Sequence, residues 1–301
     1  AKVYFWCNKY TLQEIKIKHV DWNTRTIILD DFFGHPVVKT LNASGAYVKK
    51  ASSHKFIIKN SKSFLSAGEF FYDGAGGLFY SVPSGKSIGN LRFTLPGGDQ
   101  VIKVQGSVES PVHDVVFDHL DISGSRAINE IKDLYGNKLM LTTMPEDYSA
   151  LFLNNVKNVT IKNSKIHDTG SIGIGIKGVS ENVQILDNEI FDIGADGIVL
   201  NGDDPSTRAI DRNYFPRLLS KNNLIQGNHI HDTGKVYERG QGIWIIQSSD
   251  NRILKNNIHH TAYNGIYLMG MPDNTIGSRG IYRGPGAEGS EGYNVRYTWN
   301  Y

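Results

Sequence analysis

The sequence lacks most features that would tie it to a membrane, to nucleic acid or to a disulfide framework. Cys7 is the only cysteine, which excludes an internal disulfide. No apolar run approaches the roughly 18 residues that a membrane span needs, and the first residues lack the charged start and apolar stretch of a signal peptide. An excess of one charge is also missing, since 32 Lys and Arg against 30 Asp and Glu give a formal net charge of +2. We therefore expect no membrane span and no nucleic-acid partner.

What the chain does contain is an internal repeat. Four segments align on anchor isoleucines at positions 166, 190, 230 and 258, which are 24, 40 and 28 residues apart. A step of about 24 residues is typical of one solenoid coil with three short strands and three turns, and longer steps carry insertions. The pattern predicts an all-β fold, a right-handed parallel β-helix (solenoid), with loop insertions at Gly124–Tyr148 and Asp203–Ser220 on one face.

Alternation within the repeat sorts the side chains by face. Each repeat is followed by a strand that opens with glycine and alternates isoleucine or leucine with other residues. Stacked coils then place equivalent residues about 4.8 Å apart. The predicted inward apolar ladder contains Ile174, Ile198, Ile243 and Ile266. The predicted hydrogen-bonded turn ladder contains Ser164, Asn188, Asn228 and Asn256.

The domain organisation is predicted from the regularity of this pattern. Residues 1–99 are expected to form an irregular β region that leads into the solenoid, with a turn at Asp21–Thr24 between two strands. Residues 100–301 are expected to form the parallel β-helix that carries the active site. Solenoid ends normally need caps, and no capping helix is evident at either end. We therefore expect further polypeptide, as a missing N-terminal domain or a partner subunit.

The outward side of the glycine-led strands is the candidate binding face. Trp244 and Tyr267 fall in one outward column, where exposed rings would take the C–H surfaces of a sugar. Polar side chains beside this column would satisfy sugar hydroxyls, and these are Gln241, Asn264, Lys177 and Asn201. A second interpretation is that both rings only pack under a long insertion.

Two carboxylates bracket one of these strands. Asp196 and Asp203 lie on either side of Ile198–Leu200, and paired carboxylates are the usual equipment for glycosidic cleavage. Seven residues of straight strand would separate them by roughly 23 Å, so convergence needs bends at Gly194, Gly197 and Gly202. An acidic turn before a proline is the structural alternative.

The remaining polar columns contain aspartates that could cap turns and histidines that could bind a metal. Asp168, Asp192 and Asp232 recur beside histidines and are expected to cap turns. The histidines that could ligate a metal are His229, His231, His259 and His260. Their spacing matches no diagnostic ligand pattern, so we expect neither a metal nor a cofactor.

Two segments carry a resemblance to known enzymes. The repeats together with Asn60–Asp73 and Gly77–Tyr80 resemble a region shared by several bacterial β-helix glycoside hydrolases. The run Asp-Gly-Ile-x-x-x-Gly-Asp from Asp196 to Asp203 resembles lacto-N-biosidases of glycoside hydrolase family 136. This resemblance implies a retaining mechanism, with Asp196 as acid/base and Asp203 as nucleophile. It also implies an extracellular or cell-surface bacterial protein, and an N-terminal helical domain that is sometimes a separate subunit.

The leading hypothesis is therefore a retaining glycoside hydrolase that acts on an oligosaccharide or other glycan and releases lacto-N-biose. Three alternatives stay open: a β-helix glycosidase specific for fucose or galactose, a polysaccharide lyase, and a non-catalytic glycan-binding β-helix. A lyase would need a basic residue such as Lys177 and usually calcium, but the outward strip lacks the clustered Arg and Lys that uronate substrates favour.

Overall fold

The fold is taken from a computed structural model, which describes residues 1–8, 11–29, 39–41, 47–49, 56–127, 131–132, 138–139, 146–202, 220–237, 239–246 and 248–269. Within these ranges the secondary structure consists of 30 strands and three short 3₁₀-helices, without an α-helix. This confirms the predicted all-β class. In the same ranges, no helix is long and apolar enough to cross a membrane.

The elements follow one another in short runs. The first half contains β1 (Lys2–Asn8), β2 (Thr11–Asp21), β3 (Thr26–Leu29), β4 (Lys39–Leu41), β5 (Tyr47–Lys49), β6 (Phe56–Lys59), η1 (Lys62–Phe64), β7 (Phe70–Tyr72), β8 (Leu78–Tyr80), η2 (Ile88–Asn90), β9 (Ile102–Gln105), β10 (Val112–His113), β11 (Val116–Asp118), β12 (Asp121–Ser123), β13 (Ile131–Lys132), β14 (Lys138–Leu139) and η3 (Glu146–Tyr148). The second half contains β15 (Ser149–Asn154), β16 (Val156–Lys157), β17 (Thr160–Lys162), β18 (Lys165–Thr169), β19 (Ile172–Lys177), β20 (Gln184–Leu186), β21 (Glu189–Ile193), β22 (Ile198–Asn201), β23 (Ser220–Lys221), β24 (Leu224–Gln226), β25 (His229–His231), β26 (Ile243–Ile246), β27 (Ser248–Ser249), β28 (Arg252–Leu254), β29 (Asn257–His259) and β30 (Ile266–Met269).

The chain divides into two compact units, of which the first holds residues 1–94 and 130–142. Its sheet is antiparallel with the order β3-β2-β1-β6, and its small core packs Val3 and Ile15 against neighbouring isoleucine and leucine side chains. The predicted turn after β2 is confirmed, because Asp21 Oδ1 accepts hydrogen bonds from the backbone N–H groups of Asn23 and Thr24. The predicted boundary between residues 99 and 100 stays a prediction.

The second unit, residues 95–129 and 143–301, is a solenoid of three parallel sheets. Sheet A has the order β30-β26-β22-β19-β15-β9, sheet B has β11-β17-β20-β24-β28, and sheet C has β12-β18-β21-β25-β29. Each complete coil contributes one strand to each sheet, which confirms the predicted parallel β-helix. In the sequence, each predicted insertion adjoins a strand of sheet A: the first ends directly before β15, and the second begins shortly after β22. Residues 203–219 of the second insertion lie outside the described residues.

The core of the solenoid is the inward ladder that the repeat predicts. Ile174, Ile198, Ile243 and Ile266 pair in register along sheet A, and the anchors Ile122, Ile166, Ile190, Ile230 and Ile258 pair along sheet C. The inner members of both ladders are fully buried. Burying such side chains contributes roughly 1.5–3 kcal/mol each, which makes these ladders the main source of stability.

The turn between sheets B and C holds the predicted asparagine ladder. Each backbone N–H donates to the side-chain oxygen of the next coil, from Ser164 to Asn188, from Asn188 to Asn228, and from Asn228 to Asn256, all at 3.0 Å. A second ladder, from Val183 to Asn223 and from Asn223 to Asn251, was not predicted. The ladders satisfy buried backbone groups that a tight turn leaves without a strand partner.

Candidate functional site

The polar column in front of sheet A brings together three of the predicted site residues. Asp196, Gln241 and Asn264 each precede their strand by two residues. The backbone N–H of Gln241 donates to Asp196 Oδ1 at 2.7 Å, and the backbone N–H of Asn264 donates to Gln241 Oε1 at 3.1 Å. Asp196 and Gln241 are buried. These contacts were not predicted: the side-chain oxygens of Asp196 and Gln241 each hold the next coil in register. The catalytic role of Asp196 and the sugar-binding roles of Gln241 and Asn264 stay predictions.

The outward face of sheet A differs from the prediction of exposed aromatic rings. Trp244 is only 5% exposed, while Tyr267 beside it is 37% exposed. Their ring centroids lie 6.1 Å apart at an interplanar angle of 33°. Phe152 and Val199 in the same column are also buried. The expectation of an open sugar platform at Trp244 is therefore wrong.

The physical reason lies in the composition of these strands. β22 and β26 read Ile-Val-Leu-Asn and Ile-Trp-Ile-Ile, and near-continuous apolar runs are typical of parallel strands buried on both faces. Cα atoms of η3 lie within 8 Å of Cα atoms in β15, β19 and β22, so this short helix lies against part of the sheet. The apolar composition of these strands indicates burial of both faces. A prediction based only on the alternation of inward and outward residues does not take that composition into account.

Two buried polar atoms on this face lack a hydrogen-bond partner in the described part of the chain. They are Trp244 Nε1 and Asn154 Oδ1. Asn154 belongs to an outward polar column that pairs in register with Gln105, Lys177 and Asn201. It lies three strands from Trp244 in sheet A, about 14 Å away. An unpaired buried polar atom costs about 1–3 kcal/mol, so each of the two positions is suited to a ligand hydroxyl group.

The backbone between the two predicted carboxylates contains the extended strand β22. Gly197 N–H donates to Gln241 O at 2.9 Å, and Gly202 N–H donates to Ile246 O at 2.9 Å, so both glycines continue the ladder of β22. The chain bends at Gly194 and Gly197, as expected before the strand, whereas no bend is found at Gly202. A Cβ on Gly197 would lie 2.6 Å from Gly242 O, which explains glycine there by close approach of two coils. Asp203 lies outside the described residues.

Sheet C carries an outward stack of rings that the sequence did not predict. His167, Phe191, His231 and His259 stack in succession, with centroid distances of 4.9, 5.4 and 5.1 Å and interplanar angles of 11–12°. His229 lies beside this stack, 4.4 Å from His231 between ring centroids. The stack follows from register, because His167, Phe191, His231 and His259 pair along β18, β21, β25 and β29.

Carboxylates flank the stack near the ends of these strands. Asp168, Asp192 and Asp232 have φ of 48°, 50° and 53°, a left-handed conformation that Asp tolerates. Asp232 follows β25, as expected of a turn residue, whereas Asp168 and Asp192 lie inside β18 and β21. A hydrogen bond with His231, followed by one with Lys235, lowers the pKa of Asp232 to about 2.

Glu189 is the residue near this stack that the sequence interpretation missed. Its carboxylate and the imidazoles of His229 and His231 offer ligand atoms that all lie within 4.8 Å of one another. The signal was available, since Glu189 and His229 occupy the same repeat position and His231 follows two residues later on the same face.

Comparison with known proteins agrees with the architecture. A family model described as a right-handed β-helix region matches residues 44–217 and 149–283. No curated protein matches the chain significantly. A solved glycoside hydrolase superposes with a TM-score of 0.58 at 14% identity, and the alignment covers 84% of this chain and 50% of that chain. The chain thus spans half the length of that hydrolase.

Two alginate-modifying enzymes share a smaller part of the fold. A periplasmic alginate epimerase has a TM-score of 0.38 at 20% identity, covering 56% of this chain and 30% of that chain. The A-module of a mannuronan C-5 epimerase from Azotobacter vinelandii has a TM-score of 0.34 at 20% identity, covering 54% of this chain and 45% of that chain. The family match and the superposition on the glycoside hydrolase establish the fold and confirm the predicted right-handed parallel β-helix.

Proposed function

This chain belongs to the right-handed β-helix family, and from that premise we propose that it is a glycoside hydrolase with its site on the outward side of sheet A. The proposal rests mainly on Trp244 Nε1, a buried donor without a described partner. A sugar hydroxyl would accept its hydrogen bond. The similarity of fold to a glycoside hydrolase supports the same reaction class.

The groups around Trp244 fit a sugar better than an acidic polymer. Tyr267 on the neighbouring strand adds a partly exposed ring, with its centroid 6.1 Å from that of Trp244. Lys177 is the basic residue among the proposed site residues, whereas uronate substrates favour several cations. A hydrolase acting on a neutral oligosaccharide is therefore favoured over a polysaccharide lyase.

The proposed chemistry uses the two carboxylates that the family resemblance implies. Asp196 would donate a proton to the leaving oxygen, and Asp203 would attack the anomeric carbon in a retaining reaction. β22 between them spans roughly 10 Å, so the 5–5.5 Å carboxyl separation of a retaining pair requires the chain to bend on either side of the strand. Bends at Gly194 and Gly197 are present before it. Product stereochemistry is therefore the most informative measurement.

The test compares wild type with Asp196→Asn and Asp203→Asn on a lacto-N-bioside with an activated aryl leaving group and on lacto-N-tetraose. Proton NMR of the first product distinguishes retention from inversion. We expect retention, loss of all turnover in Asp203→Asn, and loss of lacto-N-tetraose cleavage in Asp196→Asn with rescue of the aryl substrate by azide. Asp250→Asn, an exposed turn carboxylate elsewhere in the solenoid, is the matched control and should stay active.

Each contrary outcome has a defined meaning. Inversion, or an active Asp203→Asn variant, would remove Asp203 as the nucleophile and leave the hydrolase class intact. Cleavage of fucosides or galactosides alone would correct the substrate. Saturable oligosaccharide binding without turnover of any glycoside would overturn the hydrolase and identify a glycan-binding solenoid.

Trp244→Phe tests the observation that carries the proposal. Phenylalanine keeps one aromatic ring but deletes the N–H group together with part of the buried indole. We expect oligosaccharide affinity to fall about 3- to 10-fold, the scale of one hydrogen bond, and the melting temperature to fall by a few degrees because packing is also lost. Unchanged affinity would show that Trp244 serves packing only.

A further inference from the structure

Sheet C presents a second cluster of chemistry-bearing side chains, separate from the column at Asp196. Glu189 on β21 pairs in register with His229 on β25, and His231 follows on the same face. The ligand atoms of these three residues all lie within 4.8 Å of one another. His259 on β29 adds a fourth group, with its Nε2 at 2.8 Å from Nε2 of His229.

The hydrogen bonds of His231 prepare it to act as a ligand. Its Nδ1 lies 2.8 Å from Asp232 Oδ2, so Nδ1–H donates to the carboxylate and the lone pair stays on Nε2. Lys235 Nζ in turn lies 3.0 Å from Asp232 Oδ1 and fixes that carboxylate. Metal-bound histidines are almost always oriented in this way by a carboxylate or carbonyl on the other ring nitrogen.

The spacing of the nitrogens also fits a shared ion. A tetrahedral zinc with bonds of 2.0–2.1 Å places its ligand atoms about 3.4 Å apart. The ligand atoms of Glu189, His229 and His231 all lie within 4.8 Å of one another, so small side-chain movements would bring them to that distance. Lys165 Nζ lies 3.2 Å from Glu189 Oε2 and is the cation that a bound metal would replace.

We propose that Glu189, His229 and His231 bind one divalent transition-metal ion of the zinc class, with water completing the coordination. Imidazole ligands suit zinc, cobalt and nickel, whereas calcium and magnesium favour oxygen ligands alone. The ligands come from two successive coils, so the ion joins β21 and β25. The site is independent of the glycosidase proposal, because it lies on a different sheet.

The test titrates untagged, chelator-treated protein with Zn²⁺ by calorimetry and follows Co²⁺ binding by visible absorption. We expect one ion per chain, an intense four-coordinate Co²⁺ spectrum, and a melting temperature about 5 °C higher in excess Zn²⁺. Glu189→Gln and His229→Gln should each weaken Zn²⁺ binding at least 10-fold.

His167→Gln is the matched control. His167 occupies the equivalent strand position, stacks on Phe191 and contacts Asp168 as His231 contacts Asp232, but it is not part of the cluster. Zn²⁺ affinity should therefore stay unchanged. Equal weakening in this control, no saturable binding, or unchanged binding in His229→Gln would each overturn the site. Should His229→Gln fail to fold by circular dichroism, Glu189→Gln decides, because its exposed carboxylate contributes little to packing.

Discussion

His167 is held between two acidic side chains on the outward face of sheet C. Its Nδ1 lies 2.8 Å from Asp168 Oδ2 and its Nε2 lies 2.7 Å from Asp121 Oδ1. Two carboxylate acceptors favour the doubly protonated ring, since each ring nitrogen must then donate. Burial lowers the pKa of His167, but the hydrogen bonds with Asp168 and Asp121 outweigh it, so the pKa is raised above the ordinary 6.5.

This arrangement predicts how stability depends on pH. Because the folded-state pKa lies above the unfolded value, the stabilisation is fully present below pH 6.5 and is lost as the pH rises through the folded-state pKa. The free energy of unfolding of wild type should therefore exceed that of His167→Gln most at pH 5.5, and the difference should shrink by pH 8.5. Urea unfolding of both proteins across this range measures it. A difference that does not change with pH would contradict the prediction.

The sequence predicted the position of each site residue in the coil better than it predicted the burial and the neighbours of that residue. The column that contains Asp196, Gln241 and Asn264 follows from the repeat, because a fixed period places equivalent residues next to one another. The burial of Trp244 is indicated by the near-continuous apolar sequence of β22 and β26, which a pattern of alternation alone does not reveal. Glu189 was overlooked because the histidines were considered without the neighbouring coil.

The asparagine ladder is the element that fixes the turn between sheets B and C. Asn228 Nδ2 donates to the carbonyl oxygens of Ile185 and Gln226 and to Asn256 Oδ1, at 2.9, 3.1 and 2.9 Å. Its Oδ1 accepts the backbone N–H of Asn188. Asn228 is 1% exposed, so water does not replace these partners when the side chain is removed.

Asn228→Ala should therefore lower the free energy of unfolding by about 3 kcal/mol, because it takes the hydrogen-bond acceptor from the buried backbone and side-chain N–H groups of Asn188 and a donor from Ile185 O. Asn257→Ala, an exposed asparagine in the adjacent strand, should change it by no more than about 0.5 kcal/mol. Denaturant unfolding of the two variants makes the comparison. Equal effects would show that the ladder contributes no more than a surface side chain.

Elements of the solenoid were predicted better than those of the first unit. The ladder of Ser164, Asn188, Asn228 and Asn256 is visible because four copies align. The second ladder has Asn223 and Asn251 as acceptors, and each lies beside another Asn or Asp, so the alignment did not single it out. The first unit has no repeat, so only its clearest turn, at Asp21–Thr24, could be identified.

Across the whole solenoid, each coil contacts only the coils before and after it. Ile190 pairs with Ile166 on one side and Ile230 on the other, whereas Ile122 in the first coil pairs with Ile166 alone. Both side chains are buried. A substitution therefore affects two coil interfaces at Ile190 and one at Ile122.

We expect Ile190→Ala to lower the free energy of unfolding by about 4 kcal/mol and Ile122→Ala by about 2 kcal/mol, within the range for truncating a buried isoleucine. Equilibrium urea unfolding, monitored by circular dichroism and by fluorescence, gives both values and checks that one transition is seen. An Ile122→Ala loss as large as that of Ile190→Ala would argue against nearest-neighbour stabilisation.

The uninterrupted coil between Ile166 and Ile190 has a consequence for how such a protein changes length. The same repeat position pairs with the coil before it and with the coil after it: Ile190 pairs with Ile166 on one side and with Ile230 on the other. A tandem duplication of these 24 residues would find matching partners on both sides. It would move everything downstream by about 4.8 Å along the axis. Evolution or a protein engineer can therefore lengthen the molecule in fixed increments without disturbing the chemistry of any existing coil.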